Sequence, residues 1–225
     1  MLLFFPQGDE VAESVVLQVD GLRFAYPECK VLDGLSLAWP AGVALVQGDE
    51  SSGKTSLLRL LAGELAAQAG EISLQGVRLR AQPEAYRALV FWQDPRSTSL
   101  DELTARQWLA SLPACHARWD AAALAAHVQG FSLEPHLDKP FYALSTGSRR
   151  KVLMAGGLAS GAALTLFDEP VAGLDRPSIN YLTQALAEAA HHTARLVVVA
   201  HYEVLPGIAW RGQVTLGRAD EAPAA

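Results

Sequence analysis

The stretch Gly48-Asp49-Glu50-Ser51-Ser52-Gly53-Lys54-Thr55 decides the reading of this 225-residue chain. It matches G-x-x-x-x-G-K-[ST], a loop whose glycines let the backbone curl until its N–H groups point at phosphate oxygens. Its flanks agree. The apolar run Val43 to Gln47 enters as a strand, and residues 54–62 (KTSLLRLLA) leave with Leu57, Leu58, Leu60 and Leu61 at helical spacing, closed by Gly63. The helix N-terminus adds favourable electrostatics for an anion. Lys54 is expected to reach the β- and γ-phosphates of ATP and the Thr55 hydroxyl to ligate Mg²⁺, with Ser56 completing the nucleotide-binding segment. Asp49 and Glu50 are carboxylates inside a loop meant for anions. They are tolerable where the backbone faces the phosphate and their side chains turn away.

A second stretch, Ala163-Leu164-Thr165-Leu166-Phe167-Asp168-Glu169-Pro170, reads as a buried strand ending in two carboxylates. Taken alone, Asp-Glu-Pro is as readily a solvated turn. Paired with a phosphate loop, it falls where open α/β sheets bind ligands, at the carboxyl end of a parallel strand. Asp168 is then expected to hold Mg²⁺, mostly through water, and Glu169 to polarise the attacking water.

Composition bounds what surrounds these motifs. The chain is 50% hydrophobic and 19% charged, with net charge −6 and mean hydropathy +0.15. Disorder as a class is excluded, and no nucleic-acid partner is expected from such an acidic balance. The longest uncharged run, Val152 to Phe167, holds Gly156, Gly157 and Gly161. It is shorter than the roughly 20 residues a spanning helix needs, and reads as a helix end and turn leading into the strand of Asp168. The start, Met1 to Pro6, lacks the basic flank of a secretory signal, and none is expected. Cys29 and Cys115 fit no disulfide or zinc framework, and a reducing cytosol is the default expectation.

Outside the motifs, Val15–Val19, Leu35–Trp39, Ile72–Gln75, Leu89–Trp92 and Leu196–Ala200 read as strands. Residues 101–129 are rich in Ala and Leu and predict helices interrupted at Pro113. Residues 178–192 predict a helix with Ile179, Leu182 and Leu186 on one face. The tail from about 218 is expected to fray. Strands alternating with helices make an α/β sheet with a helical insertion in mid-chain.

In this order the motifs resemble the nucleotide-binding subunit of ABC transporters, over roughly residues 15–205. Leu144-Ser145-Thr146-Gly147-Ser148 is similar to the family signature L-S-G-G-Q, with Thr146 in place of the first glycine of the pair and Ser148 in place of the glutamine. Gln93 resembles the glutamine-loop residue, Ala172-Gly173-Leu174-Asp175 the D-loop, His201 the switch histidine, and Tyr26 the aromatic that stacks on adenine. Each of Gln93, His201 and Tyr26 is, taken singly, more readily a surface or core residue. Their order and spacing favour the family reading.

The resemblance implies a P-loop NTPase (RecA-like) core with an N-terminal antiparallel β subdomain and an inserted helical subdomain. It implies one ABC ATPase domain over 1–225, with core about 15–93 and 161–217, helical insertion about 94–160 and a frayed tail at 218–225. It implies ATP and Mg²⁺ as cofactors, the Mg²⁺ held by Thr55, Gln93 and Asp168, and Glu169, His201 and Gln93 as the catalytic set. Two subunits, a homodimer or a mixed pair, would close head to tail. Ser145 and Gly147 would meet the partner's ATP from a helix starting near Ser148, and Asp175 would lie at the seam. The insertion would receive an integral membrane permease subunit, with the ATPase peripheral on the cytoplasmic face of the cell membrane. Trp108 reads as a core aromatic rather than a permease contact. Export is expected slightly ahead of import. The alternatives are a soluble ABC-type ATPase of DNA repair or translation, and a small-molecule kinase. The single cassette and the absence of sustained heptads argue against the first. The signature and His201 argue against the second.

Overall fold

The computed structural model describes residues 15–217 and 220–221, and the stretch Met1 to Pro6 lies outside them. Strands β1 (Val15–Tyr26) and β2 (Cys29–Pro40) form a long hairpin in which Tyr26 faces Cys29 across the turn at Pro27-Glu28. Both strands run well past the apolar cores legible in sequence, because backbone pairing continues where side chains turn polar. Next come β3 (Gly42–Gln47), α1 (Lys54–Leu61), β4 (Ala69–Leu74), β5 (Val77–Arg78), α2 (Pro83–Arg87) and β6 (Val90–Phe91). A helical region follows, with α3 (Ala105–Ser111), α4 (Ala121–Gly130) and α5 (Thr146–Ala159). The chain returns through β7 (Leu164–Asp168), α6 (Arg176–Ala189), β8 (Leu196–His201), β9 (Gly212–Thr215) and β10 (Asp220–Glu221).

These strands make two sheets. One is antiparallel, in the order β10-β2-β1-β4-β5, and the other parallel, in the order β6-β7-β8-β3-β9. Side chains on a strand point alternately to opposite faces, so a strand buried on both faces must be apolar throughout. Strand β3 does this. Ala44 and Val46 join the core shared with the antiparallel sheet and α1, while Val43 and Leu45 join the core beneath α3, α5 and α6. Strand β8 divides the same way, with Leu196, Val198 and Ala200 on the first side and Val197 and Val199 on the second. The α/β expectation therefore holds in its parts: an antiparallel sheet near the N-terminus, a parallel sheet and helices between β6 and β7.

The expected helix break at Pro113 is present, and other local expectations are revised. Helix α3 stops at Ser111, and Pro113 lies within a 3₁₀ turn over Leu112–Ala114, where its missing N–H costs little. The buried face of α6 is Ser178, Leu182, Ala185, Leu186 and Ala189, with Ile179 only half-buried. Strands β5, β9 and β10 and helix α2 are too short for a periodic signal. Part of the tail expected to fray lies outside the described residues, but Asp220–Glu221 pairs antiparallel with Lys30 and Cys29. Trp108 is buried as expected, edge-on to Phe141 at 5.6 Å. Among the described residues no helix is long and apolar enough to cross a membrane.

Candidate functional site

The carboxyl ends of β3, β7 and β8 converge on one cleft of about 770 Å³. Its floor is the loop between β3 and α1. The loop turns through Ser51 at φ 62° and Gly53 at φ 92°, and a Cβ on Gly53 would lie 2.4 Å from Val31 Cγ1. Only glycine meets both demands. Helix α1 begins at Lys54 without a side-chain cap, so its first N–H groups remain available to an anion. The Lys54 ammonium, almost fully buried, donates to the carbonyls of Gly48 at 2.7 Å and Asp49 at 2.8 Å. The side chains of Asp49, Glu50 and Ser51 are exposed. Asp49 thus offers its backbone to the loop.

Strand β7 delivers the two carboxylates in different ways. Asp168, the last strand residue, is buried and its Oδ2 accepts from Thr55 Oγ1 at 2.8 Å. Burial raises its pKa, against the opposing effects of the Thr55 hydrogen bond and the Arg96 charge. Its Oδ1 is buried without a hydrogen-bond partner. Glu169 follows at φ 47°, a left-handed backbone that costs a side-chain-bearing residue about 1 kcal/mol and turns it out of the strand direction. Its N–H is held by the Ala200 carbonyl at 2.9 Å. Its Oε1 lies 3.2 Å from Lys54 Nζ and its Oε2 2.7 Å from His201 Nδ1. Burial works to raise the Glu169 pKa, but the hydrogen bonds and charges of His201 and Lys54 outweigh it and hold the carboxyl below its ordinary range. An ionised carboxylate only accepts, so Nδ1 of His201 carries the proton between them.

Tyr26 stands 41% exposed at one wall of the cleft, edge-on to Phe24, with its hydroxyl 3.3 Å from Ser56 Oγ. Gln93 lies outside this wall. It lines a small adjoining cleft with Asp168, Arg150 and Pro170.

None of Leu144 to Ser148 lines the large cleft. They form the entry to α5, which begins at Thr146 and not near Ser148 as expected. The reason is the cap: Ser145 Oγ accepts from Ser148 N at 3.1 Å, so the helix starts one residue after Ser145. Ser145 and Thr146 are exposed, whereas Gly147 and Ser148 are buried. A Cβ on Gly147 would lie 2.1 Å from the Gly173 carbonyl oxygen, so the signature segment is packed directly on the D-loop-like turn. Asp175 caps α6, accepting from Ser178 N at 2.9 Å.

Sequence reasoning missed four residues that line the cleft: Cys29 and Val31 from β2, Arg96 after Gln93, and Arg150 on α5. Tyr202, its ring tilted 58° to that of His201 with centroids 4.3 Å apart, is a fifth. No local pattern marks them. Only Arg150 and Tyr202 carry a hint, each standing close to a motif residue.

A parallel sheet with a phosphate loop at the end of β3 and paired carboxylates at the end of β7, across β8, defines a P-loop nucleotide hydrolase. The ABC transporter family profile matches residues 32–172, and the chain belongs to this family, whose members are ATPases coupled to transport. The cytochrome c biogenesis ATP-binding export protein CcmA of Pseudomonas syringae pv. syringae is 35% identical over 161 residues, which is 71% of this chain and 75% of that protein. Its namesake in Pseudomonas putida strain GB-1 is 33% identical, covering 83% and 89%. Among solved structures, an ATP-binding subunit of an ABC transporter superposes with TM-score 0.71 at 25% identity, over 83% of this chain and 79% of that one. A bacterial ABC transporter cassette solved as a dimer gives TM-score 0.73 over 93% and 100%, and at 17% identity it speaks for the fold alone. The chain is therefore of the ATP-binding, ATP-hydrolysing subunit type of a transporter.

Proposed function

We propose that this subunit pairs head to tail with a second ATPase subunit, a copy of itself or a relative, around two ATP, and drives a separate integral membrane permease in the direction of export. One observation carries the reading: Glu169 joins Lys54 of the phosphate loop to His201 at the end of β8, in the same cleft where Thr55 meets Asp168.

In this reading the amides of residues 49–56 and the Lys54 ammonium hold the phosphates, and Tyr26 stacks on the adenine. A phosphate entering the loop competes with Gly48, Asp49 and Glu169 for the Lys54 ammonium and frees Glu169 Oε1 to accept a water proton. His201 keeps Oε2 occupied and so fixes which face of the carboxylate meets that water. The residues fit Mg²⁺. The Thr55 hydroxyl and the unpartnered, buried Oδ1 of Asp168 are hard oxygen donors, with Gln93 across the adjoining cleft. Bound there, Mg²⁺ would neutralise phosphate charge as it develops.

Exposed Ser145 at the start of α5 supports the signature segment's role toward a partner's ATP, since none of Leu144 to Ser148 lines the chain's own cleft and the start of a helix favours an anion. Asp175 belongs to the seam of the pair. Work at the cytoplasmic face of the membrane follows from the permease. Export, and a place in cytochrome c biogenesis, are supported by the names of the relatives in Pseudomonas.

Affinity purification of the tagged chain from detergent-solubilised membranes of its host tests the reading. Recovery with an integral membrane subunit and nucleotide-dependent pairing are expected. Recovery only from the soluble fraction, with no membrane subunit, overturns it.

A further inference from the structure

Two successive arginines on the first turns of α5 have different circumstances. Both bury an Nε without a hydrogen-bond partner, but the terminal nitrogens of Arg149 are engaged. It donates to Asp101 Oδ1 at 2.8 Å and to the Ser97 carbonyl, and lies over the Phe141 ring at 5.1 Å. Arg150 is buried to the same degree as the core, at 9% exposure, and has no such partners. Its Nε is buried without a hydrogen bond, and among the described residues no carboxylate comes within 4.0 Å of its guanidinium. Asp168, Glu169 and Asp94 attract it from further off, and Arg96 repels it. It lines both the large cleft and the small one that holds Gln93 and Asp168.

A buried guanidinium Nε–H without an acceptor is expensive to keep, and the planar fork suits a phosphate. The end of the cleft it faces is that of Asp168 and Glu169. There the terminal phosphate of a triphosphate would meet two carboxylates. Lys54, for which that phosphate and Glu169 compete, offsets only part of that repulsion, and Arg96 in the same cleft adds to that offset. A diphosphate ends short of this region, in the loop amides.

We propose that Arg150 contributes a cation from the chain's own α5 to the terminal-phosphate end of the bound nucleotide. The helix that presents Ser145 outward thereby registers whether its own site holds a triphosphate or a diphosphate. The inference rests on the nucleotide site proposed above. It adds a direct link between α5 and that site which bypasses Gln93.

Isothermal titration of the full chain with ADP and with the non-hydrolysable triphosphate AMP-PNP, each with Mg²⁺, tests it. Arg150→Met, of similar length and suited to a buried position, is expected to weaken AMP-PNP binding about tenfold and ADP binding less than twofold. Arg150→Lys is expected to fall between Met and wild type for AMP-PNP and to match wild type for ADP. Equal losses for both nucleotides in the Lys variant, or no loss in either variant, overturn the inference while leaving the site intact. A wild-type chain that binds neither nucleotide overturns the site itself. A melting temperature for the nucleotide-free Met variant at or above wild type shows that its fold is kept.

Discussion

Glu169 and His201 are joined by a hydrogen bond of 2.7 Å between Oε2 and Nδ1, which ties the end of β7 to the end of β8. The same carboxylate reaches Lys54, so three strand ends share one charge network. The left-handed backbone at Glu169 makes this convergence possible, since an extended residue there would carry its side chain to the next face of the sheet.

Glu169→Gln keeps the shape and the acceptor for His201 but removes the base. We expect ATP turnover to fall by about a hundredfold or more, with nucleotide still bound and the closed pair accumulating. Phosphate release and size-exclusion chromatography in ATP check this. Turnover equal to wild type would remove Glu169 from the role of base.

Asp168→Asn relieves a buried carboxylate whose Oδ1 has no partner, while its amide oxygen can still accept from Thr55. Burial raises the folded pKa of Asp168 above 3.8, so folding disfavours the ionised form. The penalty is absent below 3.8 and grows as pH rises through the folded value. At neutral pH the nucleotide-free variant should melt about 2–4 °C higher than wild type, on the order of 1 kcal/mol. The gain should shrink on acidification. Differential scanning fluorimetry across pH measures both. The variant should also lose the extra stabilisation that Mg²⁺ adds to ATP.

Adjacent residues in the signature segment should respond in opposite ways. Gly147→Ala places a methyl 2.1 Å from the Gly173 carbonyl, so the turn before Asp175 must move. A loss of about 1–3 kcal/mol in stability and a marked fall in ATPase activity are expected. Thr146→Gly acts at an exposed position at the start of α5 and should not lower ATPase activity. Urea melts and steady-state assays separate the two. A large loss in Thr146→Gly would assign the threonine a role of its own.

Asp175 caps α6. The hydrogen bonds of Ser178, side chain first and backbone second, hold its pKa below 3.8, so its capping contribution is complete above that value and fades as pH falls through the depressed one. Asp175→Asn still caps but does not titrate. The wild-type melting temperature should therefore fall more steeply than the variant's as pH drops below 3.8. Parallel curves would show that the cap carries no charge-dependent stability.

How much of this was legible beforehand follows from range. The phosphate loop, the strand ending in Asp168 and the apolar strands β3 and β8 are local patterns, and each could be read from consecutive residues. Helix α5 starts at Thr146, two residues before Ser148, because its start depends on the Ser145 hydroxyl capping it. The short strand β10 forms by pairing with the distant β2 and β5 by a tight hairpin with β4, and both carry too few residues to show a period.

The chain's own residues determined the chemistry: a loop that can wrap phosphate, a buried strand carrying Asp168 to its end, and an apolar excess that belongs to two-sided burial and not to a bilayer. Only the tertiary structure decided that Glu169 bridges Lys54 and His201, that Gly147 rests on Gly173, and that Arg150 turns into the cleft while Arg149 turns away. Hydrogen bonds and steric contacts between residues far apart in the chain act over a few ångströms. Spacing along a sequence carries no measure of that distance until the sheet brings the strand ends together.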